Sequence, residues 1–249
     1  MRGIKDMPLI AFHNDKKLKA AMLKEIDWHA AQDMIVKGSY GDNCTNGDFR
    51  GCAIGCSIHS LARIQKRKLN TADHWLFESE LGIPVEIAYL VDGLFEALPD
   101  AESQALPRRV IAAIRPGADL LMVIPQFLLW TLSDPKIGSI TDAVHEDTKI
   151  FVNAVIALFG EWVRTQERPA NDSPLARAAW DAWDARAARA ARAAWDARAA
   201  WDARAAWAAW DAWDAWDAWD ARAARDAWAA RDARNKAATD KLIELLESA

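Results

Sequence analysis

Cysteine and histidine side chains concentrated in one stretch are the residues of this sequence best suited to chemistry. The chain has three cysteines and five histidines, and all of the cysteines lie close to two of the histidines. These residues are Cys44, Cys52, Cys56, His59 and His74. Thiolates and imidazoles bind metals and act as nucleophiles and bases, so the cluster has three readings: a metal site, a reactive thiol, or buried packing residues.

A zinc site would use Cys44, Cys52 and Cys56, with His59 or His74 as a further ligand. Zinc prefers four sulfur and nitrogen ligands in tetrahedral geometry. The spacings of seven, three and two intervening residues match no common zinc finger or ribbon. We therefore expect no cofactor, and keep zinc as the alternative.

A reactive thiol is the second reading. Gly51 precedes Cys52 and Gly55 precedes Cys56, so either thiol could sit at a helix N-terminus, where the helix dipole lowers a thiol pKa. His74 would act as the base, and a carboxylate would orient it. The candidate carboxylates are Glu78 and Glu80.

The third reading is structural, and we favour it. Cys52 and Cys56 lie four residues apart, as on one face of a short helix, where cysteine behaves as a small buried apolar residue. The neighbouring glycines would permit close packing. A separate alternative is a small-molecule or nucleotide sponge, because the loop from Gly41 to Gly55 is glycine-rich enough to cradle a phosphate.

Around this loop the sequence predicts helices and no alternating β pattern, hence an all-α fold. Asn14 and Asp15 should cap a helix that ends near Lys37, before Gly38. Pro84 should begin another, with apolar residues at helical spacing from Ile87 to Leu98. Further helices are predicted at 104–114, 118–132 and 140–165, the last with a core face of Phe151, Val155, Phe159 and Trp162.

From Arg177 to Lys236 the chain is a triplet repeat in which every third residue is Trp or Arg and most others are Ala or Asp. Alanine has the highest helix propensity, and no Gly or Pro follows Pro174. We therefore predict one long helix over 175–249, of about 110 Å at 1.5 Å per residue. The organisation predicted is a compact multi-helix domain at 1–168, a Pro-containing hinge at 169–174, and this repeat helix.

Seven of the ten tryptophans of the tail fall within an arc of about 120° on a helical wheel. They are Trp180, Trp183, Trp195, Trp201, Trp213, Trp216 and Trp219. Repetition after about five turns also places Trp183, Trp201 and Trp219 in one column and Arg186, Arg204 and Arg222 in the neighbouring column. A large apolar face normally marks a contact surface, so this Trp arc predicts self-association or a protein partner.

Charge disfavours other partners for the tail. Leu175–Ala249 carries ten Arg and two Lys against eleven Asp and two Glu. Because the tail has no net positive charge to attract phosphates, nucleic-acid binding is disfavoured. Asp184, Asp202 and Asp220 project within the Trp arc and would have to enter a lipid interface, which argues against membrane binding. No signal peptide or membrane span is visible, so we expect a cytoplasmic protein.

Four features of the sequence can be compared with a known group of proteins: Gly51-Cys52-Ala-Ile-Gly55-Cys56, His74, Glu80-Leu-Gly-Ile-Pro84, and an Ala-rich tail that contains many aromatic residues and ends in Lys241-Leu-Ile-Glu-Leu-Leu. In these features the chain resembles a group of phage and prophage-associated helical proteins. The resemblance covers nearly the whole chain and carries no activity, cofactor or catalytic residue. It implies an accessory protein of a mobile element that acts in a bacterial cytoplasm by binding a host or defence component. The strict period of three in the tail departs from the mixed spacing expected of the group.

Overall fold

The computed structural model describes residues 9–41, 49–142, 146–170, 172–179, 181 and 221–249. These residues are mostly helical and include no β-strand, which confirms the predicted all-α class for this part of the chain. Isolated bridges join Ile10 to Asp119 and Ile35 to Gly51. Most of the predicted repeat helix, residues 182–220, lies outside the described residues.

The helices are α1 (Lys16–Ala31), α2 (Ala53–Gln65), α3 (Trp75–Leu81), α4 (Val85–Ala97), α5 (Asp100–Ala113), α6 (Val123–Ser133), α7 (Ser139–Asp142), α8 (Glu146–Thr165) and α9 (Ala221–Ser248). Residues 174–179 are also helical. None of the described helices is both long and apolar enough to cross a membrane.

Two predicted helix starts are confirmed. The Asp15 carboxylate accepts the N–H groups of Lys17 at 2.7 Å and Leu18 at 3.3 Å, which caps α1. Pro84 precedes α4, and the predicted apolar residues of that helix, from Ile87 to Leu98, are buried.

The predicted end of α1 at Lys37 was wrong, because the helix ends at Ala31. Asp33 adopts a positive φ of 53°, which turns the chain out of the helix. The chain then pairs with the segment before α2: Gly51 N–H donates to Met34 O and Val36 N–H donates to Gly51 O, both at 2.9 Å. Long-range pairing has replaced the last predicted turns of the helix.

Other predicted boundaries shift by a few residues. The helix predicted at 104–114 begins at Asp100, where Asp100 and Glu102 supply negative charge to its first turn. The helix predicted at 118–132 begins at Val123. The one predicted at 140–165 corresponds to α7 and α8, with 143–145 outside the described residues. The short helix α3 was not predicted.

The chain divides into two compact units, and the predicted division into 1–168, 169–174 and 175–249 stays a prediction. One unit contains the residues up to Phe127 together with Asp232–Ala249, and the other contains Leu128–Arg231. The predicted hinge therefore falls inside the second unit. The end of the predicted repeat helix belongs to the first unit because Leu242, Leu245 and Leu246 are buried in its core.

The core of the first unit forms where α1, α2, α4 and α5 pack against one another. Its largest fully buried side chains are Phe12, Met22, Ile26, Ile54, Ile58, Leu61, Leu81, Ile83, Ile87, Phe95, Leu98 and Leu106. Burial of this aliphatic and aromatic surface supplies the main driving force for folding the unit.

Polar contacts hold α9 against the first unit at both ends of its buried stretch. Asn235 Nδ2 donates to the backbone oxygen of Ala97 at 3.0 Å, and Arg109 Nη2 pairs with Asp240 Oδ1 at 2.7 Å. Arg115 Nη2 donates to the backbone oxygen of Ala249 at 2.8 Å. The last turns of α9 are thus an integral part of this unit.

In the second unit, the predicted core face of α8 is half-buried, and the neighbouring Val152 is buried. Phe159 and Trp162 stack with their ring centroids 6.1 Å apart. The Arg168 guanidinium lies over the Trp162 ring at 5.6 Å, a cation–π contact near the end of the helix.

Candidate functional site

Of the two cysteines that the glycine spacing offered for a helix N-terminus, Cys52 occupies that position, at the start of α2. Its backbone N–H donates to Ser39 O at 2.5 Å, and its sulfur accepts the Gly55 N–H at 3.4 Å as the helix cap. A Cβ atom on Gly55 would lie only 2.7 Å from the backbone oxygen of Tyr40. Glycine at position 55 therefore allows residues 39–41 to pack directly on the first turn of α2.

Asp92 joins two aromatic residues beside this helix end. Tyr40 OH donates to Asp92 Oδ2 at 2.6 Å, and His74 Nε2 donates to the same oxygen at 3.2 Å. His74 Nδ1 faces the backbone oxygen of Ala72 at 3.1 Å. Both ring nitrogens of His74 therefore face oxygen atoms, one of a carboxylate and one of the backbone.

The carboxylate beside His74 is therefore Asp92, and Glu78 and Glu80 do not fill the orienting role proposed for them. Glu78 Oε2 accepts the Val85 N–H at 3.3 Å at the start of α4. Glu80 pairs with Arg67 and accepts from Gln65 Nε2 at 3.0 Å. Both glutamates join neighbouring segments to one another.

Sequence reasoning missed Asp92, although a signal for it exists. The residue interrupts the apolar run of α4 between Val91 and Leu94, and its side chain is only 16 % exposed. A carboxylate in such a position needs a hydrogen-bonding partner. The sequence alone does not name that partner, since Tyr40 and His74 precede it by 52 and 18 residues.

The thiols of Cys52 and Cys56 are buried and protonated. Burial raises the pKa of Cys52 to about 12, with a further contribution from the negative charge of Asp92, and outweighs the opposing effect of the Gly55 N–H. Burial likewise raises the pKa of Cys56 to about 12. Cys56 Sγ donates to Gly51 O at 3.2 Å. These contacts favour the packing role for both residues.

We predict slow alkylation of both thiols in the folded protein. Because the thiolate is the reactive form, a pKa near 12 reduces the thiolate fraction at pH 7.5 by about a thousandfold relative to an ordinary thiol. Residue-resolved mass spectrometry after iodoacetamide treatment should show labelling of Cys52 and Cys56 at least about a hundredfold slower than in urea. Fast labelling of Cys52 in the folded chain would instead support the nucleophile reading.

His59 belongs to a different cluster from His74. His29 is fully buried and donates from Nδ1 to Glu25 O at 2.7 Å, so its Nε2 accepts the Nδ1–H of His59 at 2.8 Å. Phe49 stacks on the His59 ring with centroids 4.0 Å apart. Burial, followed by the neighbouring His29 and Arg63, lowers the pKa of His59 to about 4. Burial also lowers the pKa of His29.

The proposed zinc ligands are divided between these clusters. Cys52 and Cys56 hydrogen-bond to backbone groups, His59 to His29, and His74 to Asp92. Within the described ranges no three His, Cys, Asp or Glu side chains gather as a metal site would need. Cys44, the remaining proposed ligand, lies outside those ranges.

The glycine-rich loop offers few free N–H groups in its described part. The N–H of Gly41 donates to Ser39 Oγ at 3.1 Å, and those of Gly51 and Cys52 donate to Met34 O and Ser39 O. A phosphate cradle requires such groups to point at the ligand. The seven tryptophans proposed as the interaction surface, Trp180 to Trp219, lie outside the described residues, so the Trp arc stays a prediction from sequence.

In comparisons with known proteins, no family model, curated protein or solved structure matches this chain.

Proposed function

We propose that this is a non-catalytic binding protein that self-associates, or binds a protein partner, through the Trp arc of its repeat helix. The observation that supports the proposal is the docking of α9. The repeat leads directly into a helix whose Leu242 and Leu246 are completely buried in the core of the first unit. The tail is consequently anchored at its C-terminal end.

Anchoring has a mechanical consequence for the repeat. No Gly or Pro lies between Pro174 and the end of the chain, so the sequence predicts that the helix of the repeat continues into α9. A helix fixed at its end presents its side chains in a defined orientation, which reduces the entropy lost on binding. The Trp arc would then act as a pre-organised contact surface.

The chemistry of the cysteine region supports a binding role over catalysis. The Cys52 and Cys56 thiols carry pKa values near 12, and His74 is held between Asp92 and Ala72 O. Every buried side-chain nitrogen and oxygen atom in the described part of the chain has a hydrogen-bond partner. Fully satisfied buried polar groups are typical of a structural network.

The proposed setting is the cytoplasm of a bacterial host, as the resemblance to phage and prophage-associated proteins implies. An accessory protein of that kind would act by occupying a host or defence component. Assembly through the repeat would give it several identical binding surfaces, which strengthens binding without new contacts.

Light scattering behind size exclusion tests the proposal on the full chain. The unsubstituted chain should be oligomeric, and the combined substitutions Trp201→Ala, Trp213→Ala and Trp216→Ala should make it monomeric, because each Trp buries about 150–250 Å² at a contact. The matched control replaces Trp207, Trp210 and Trp228, which lie outside the Trp arc, by Ala. If the unsubstituted chain is monomeric, self-association is excluded. If the chain with Trp201→Ala, Trp213→Ala and Trp216→Ala is still oligomeric, the Trp arc is excluded as the contact surface.

A shortened chain for this experiment must keep α9. Ending the chain at Asn171 would remove Leu242, Leu245 and Leu246 from the core, so loss of assembly could reflect unfolding. Deleting residues 201–218 instead removes about five helical turns and preserves the angular register of the helix on both sides. This deletion should also yield a monomer with the first unit intact.

A further inference from the structure

Three consecutive residues immediately before α1 have a left-handed backbone conformation. Phe12, His13 and Asn14 have φ angles of 52°, 51° and 58°. They form a tight turn, in which the His13 N–H donates to Ile10 O and the Asp15 N–H donates to Phe12 O, both at 2.8 Å. An L-amino acid in this conformation brings its Cβ atom too close to the following carbonyl oxygen, so non-glycine residues rarely adopt it in succession. The turn is therefore a strained segment.

Helix capping explains the other left-handed residues of the described chain but not these three. Asp33, Lys66 and Gln166 also have positive φ angles, and each follows a helix, where a left-handed residue is a common way to end it. The strained turn precedes a helix instead. Asparagine tolerates the left-handed conformation better than most residues, so the strain falls mainly on Phe12 and His13. Such strain persists only where the surrounding structure holds the residues in place.

Contacts with the loop after α5 hold the turn in place. The Ala11 N–H donates to Ala118 O at 3.0 Å, and the Gly117 N–H donates to Ala11 O at 2.8 Å. The side chain of Phe12 is completely buried in the core of the first unit. We call residues 10–15 the strap, because this segment joins the start of α1 to the loop that leads into α6.

Two glycines make room for the backbone of the strap. A Cβ atom on Gly82 would clash with Ile10 O, and a Cβ atom on Gly117 would lie 2.7 Å from Asn14 Oδ1. Both glycines have positive φ angles, of 62° and 88°. The corner between α3 and α4 and the loop after α5 are thus both shaped to receive the strap. Packing, rather than the preference of its own residues, fixes the conformation of the strap.

We propose that the strap is a two-state conformational element, which opens and closes as a unit while α2, α4 and α5 stay folded. In the closed state, burial of Phe12 and the two backbone hydrogen bonds of Ala11 oppose the strain. In the open state, residues 12–14 return to ordinary negative φ angles and the loop at Gly117 and Ala118 loses its partner. Because strain raises the free energy of the closed state, a binding partner needs little preference for the open state to populate it. The inference is independent of the Trp arc.

Hydrogen exchange of individual amides in the full chain tests the inference. The N–H groups of Ala11, His13 and Asp15 are hydrogen-bonded in the closed strap, so they exchange only when the strap opens. We expect their protection factors to be at least about tenfold lower than that of the Leu61 N–H, in the buried part of α2. Protection equal to that of Leu61 would mean that the strap opens only when the whole unit unfolds, which overturns the inference.

Substitution of His13 tests whether strain controls the opening. His13 is exposed, so its replacement removes no buried contact. His13→Gly should raise the protection factors of the Ala11 and Asp15 amides about threefold to tenfold, because glycine adopts a positive φ without a Cβ clash. His13→Val should lower both by a similar factor, because a β-branched residue suits this φ least.

Ala20→Gly is the matched control for the glycine substitution. Ala20 is exposed within the regular helix α1, where glycine is less favourable than alanine, so this change should not raise the protection of the strap. A strap that is equally protected in the His13→Gly, His13→Val and unsubstituted chains would show that strain does not control its opening. That result would overturn the inference and leave the proposed function untouched.

Discussion

Leu246→Ala is expected to lower the free energy of unfolding of the first unit by about 2–5 kcal/mol. Leu246 is completely buried, and its truncation would leave a cavity in the core that also contains residues of the N-terminal helices. Hydrogen exchange measured by mass spectrometry should show faster exchange of the α2 and α4 amides. The effect would appear in segments more than a hundred residues away in sequence.

The neighbouring Glu247→Ala provides the matched control, because Glu247 lies on the exposed side of the same helical turn. It should leave exchange in α2 and α4 unchanged within error. Equal exchange in the two variants would mean that α9 does not dock on this unit in solution. The anchoring on which the proposed function rests would then be removed.

Acid is expected to destabilise the first unit between pH 6.5 and about 4. Burial and the neighbouring His29 and Arg63 lower the pKa of His59 from 6.5 to about 4, so within this range the unfolded chain binds protons that the folded chain does not. The stability that the neutral form of His59 gives the folded unit is fully present above pH 6.5 and is lost as the pH falls toward 4. It amounts to at most about 3 kcal/mol for His59, and the lowered pKa of His29 acts in the same direction.

Urea unfolding between pH 7.5 and 4 measures this dependence. His59→Gln keeps a hydrogen-bond donor for His29 Nε2 and should flatten the pH dependence by most of that amount. His13→Asn is the control, because His13 is exposed and its positive φ of 51° suits asparagine. Parallel curves for His59→Gln and the unsubstituted chain would show that the His29–His59 pair does not carry the effect.

These two predictions concern the first unit, on which α9 docks, and the proposed presentation of the Trp arc depends on that docking. Loss of α9 docking would free the end of the repeat, and acid would weaken the unit on which α9 docks.

Local sequence was sufficient where a helix depends on its own residues. Asp15 and Pro84 mark helix starts because a side-chain cap and a fixed φ act on the nearest peptide groups. The apolar spacing of α4 revealed its buried face for the same reason, since that face follows from helical periodicity alone. The all-α class of the described residues follows from such local patterns.

Long-range contacts determined the features of the fold that the local sequence pattern did not, namely where α1 ends and where the end of the tail packs. The last predicted turns of α1 gave way to pairing of residues 34–36 with Gly51, seen in Val36 N–H donating to Gly51 O. Leu242, Leu245 and Leu246 form an apolar stripe that would suit a coiled coil as well as a core. Only the tertiary structure assigns this stripe to the first unit, because the three leucines are buried in its core and Arg109 of α5 pairs with Asp240 of α9.

The candidate site divides in the same way. The sequence by itself indicated that Cys52 and Cys56 lie one turn apart on a short helix, with either thiol a candidate for its N-terminus, and that the tail pattern favours a helix with a Trp arc. Tertiary structure alone decided that the thiols are protonated, that Asp92 bonds His74, and that His29 bonds His59. A pKa and a hydrogen-bond partner depend on which distant residues exclude water and face the group, and one-dimensional spacing does not contain that information.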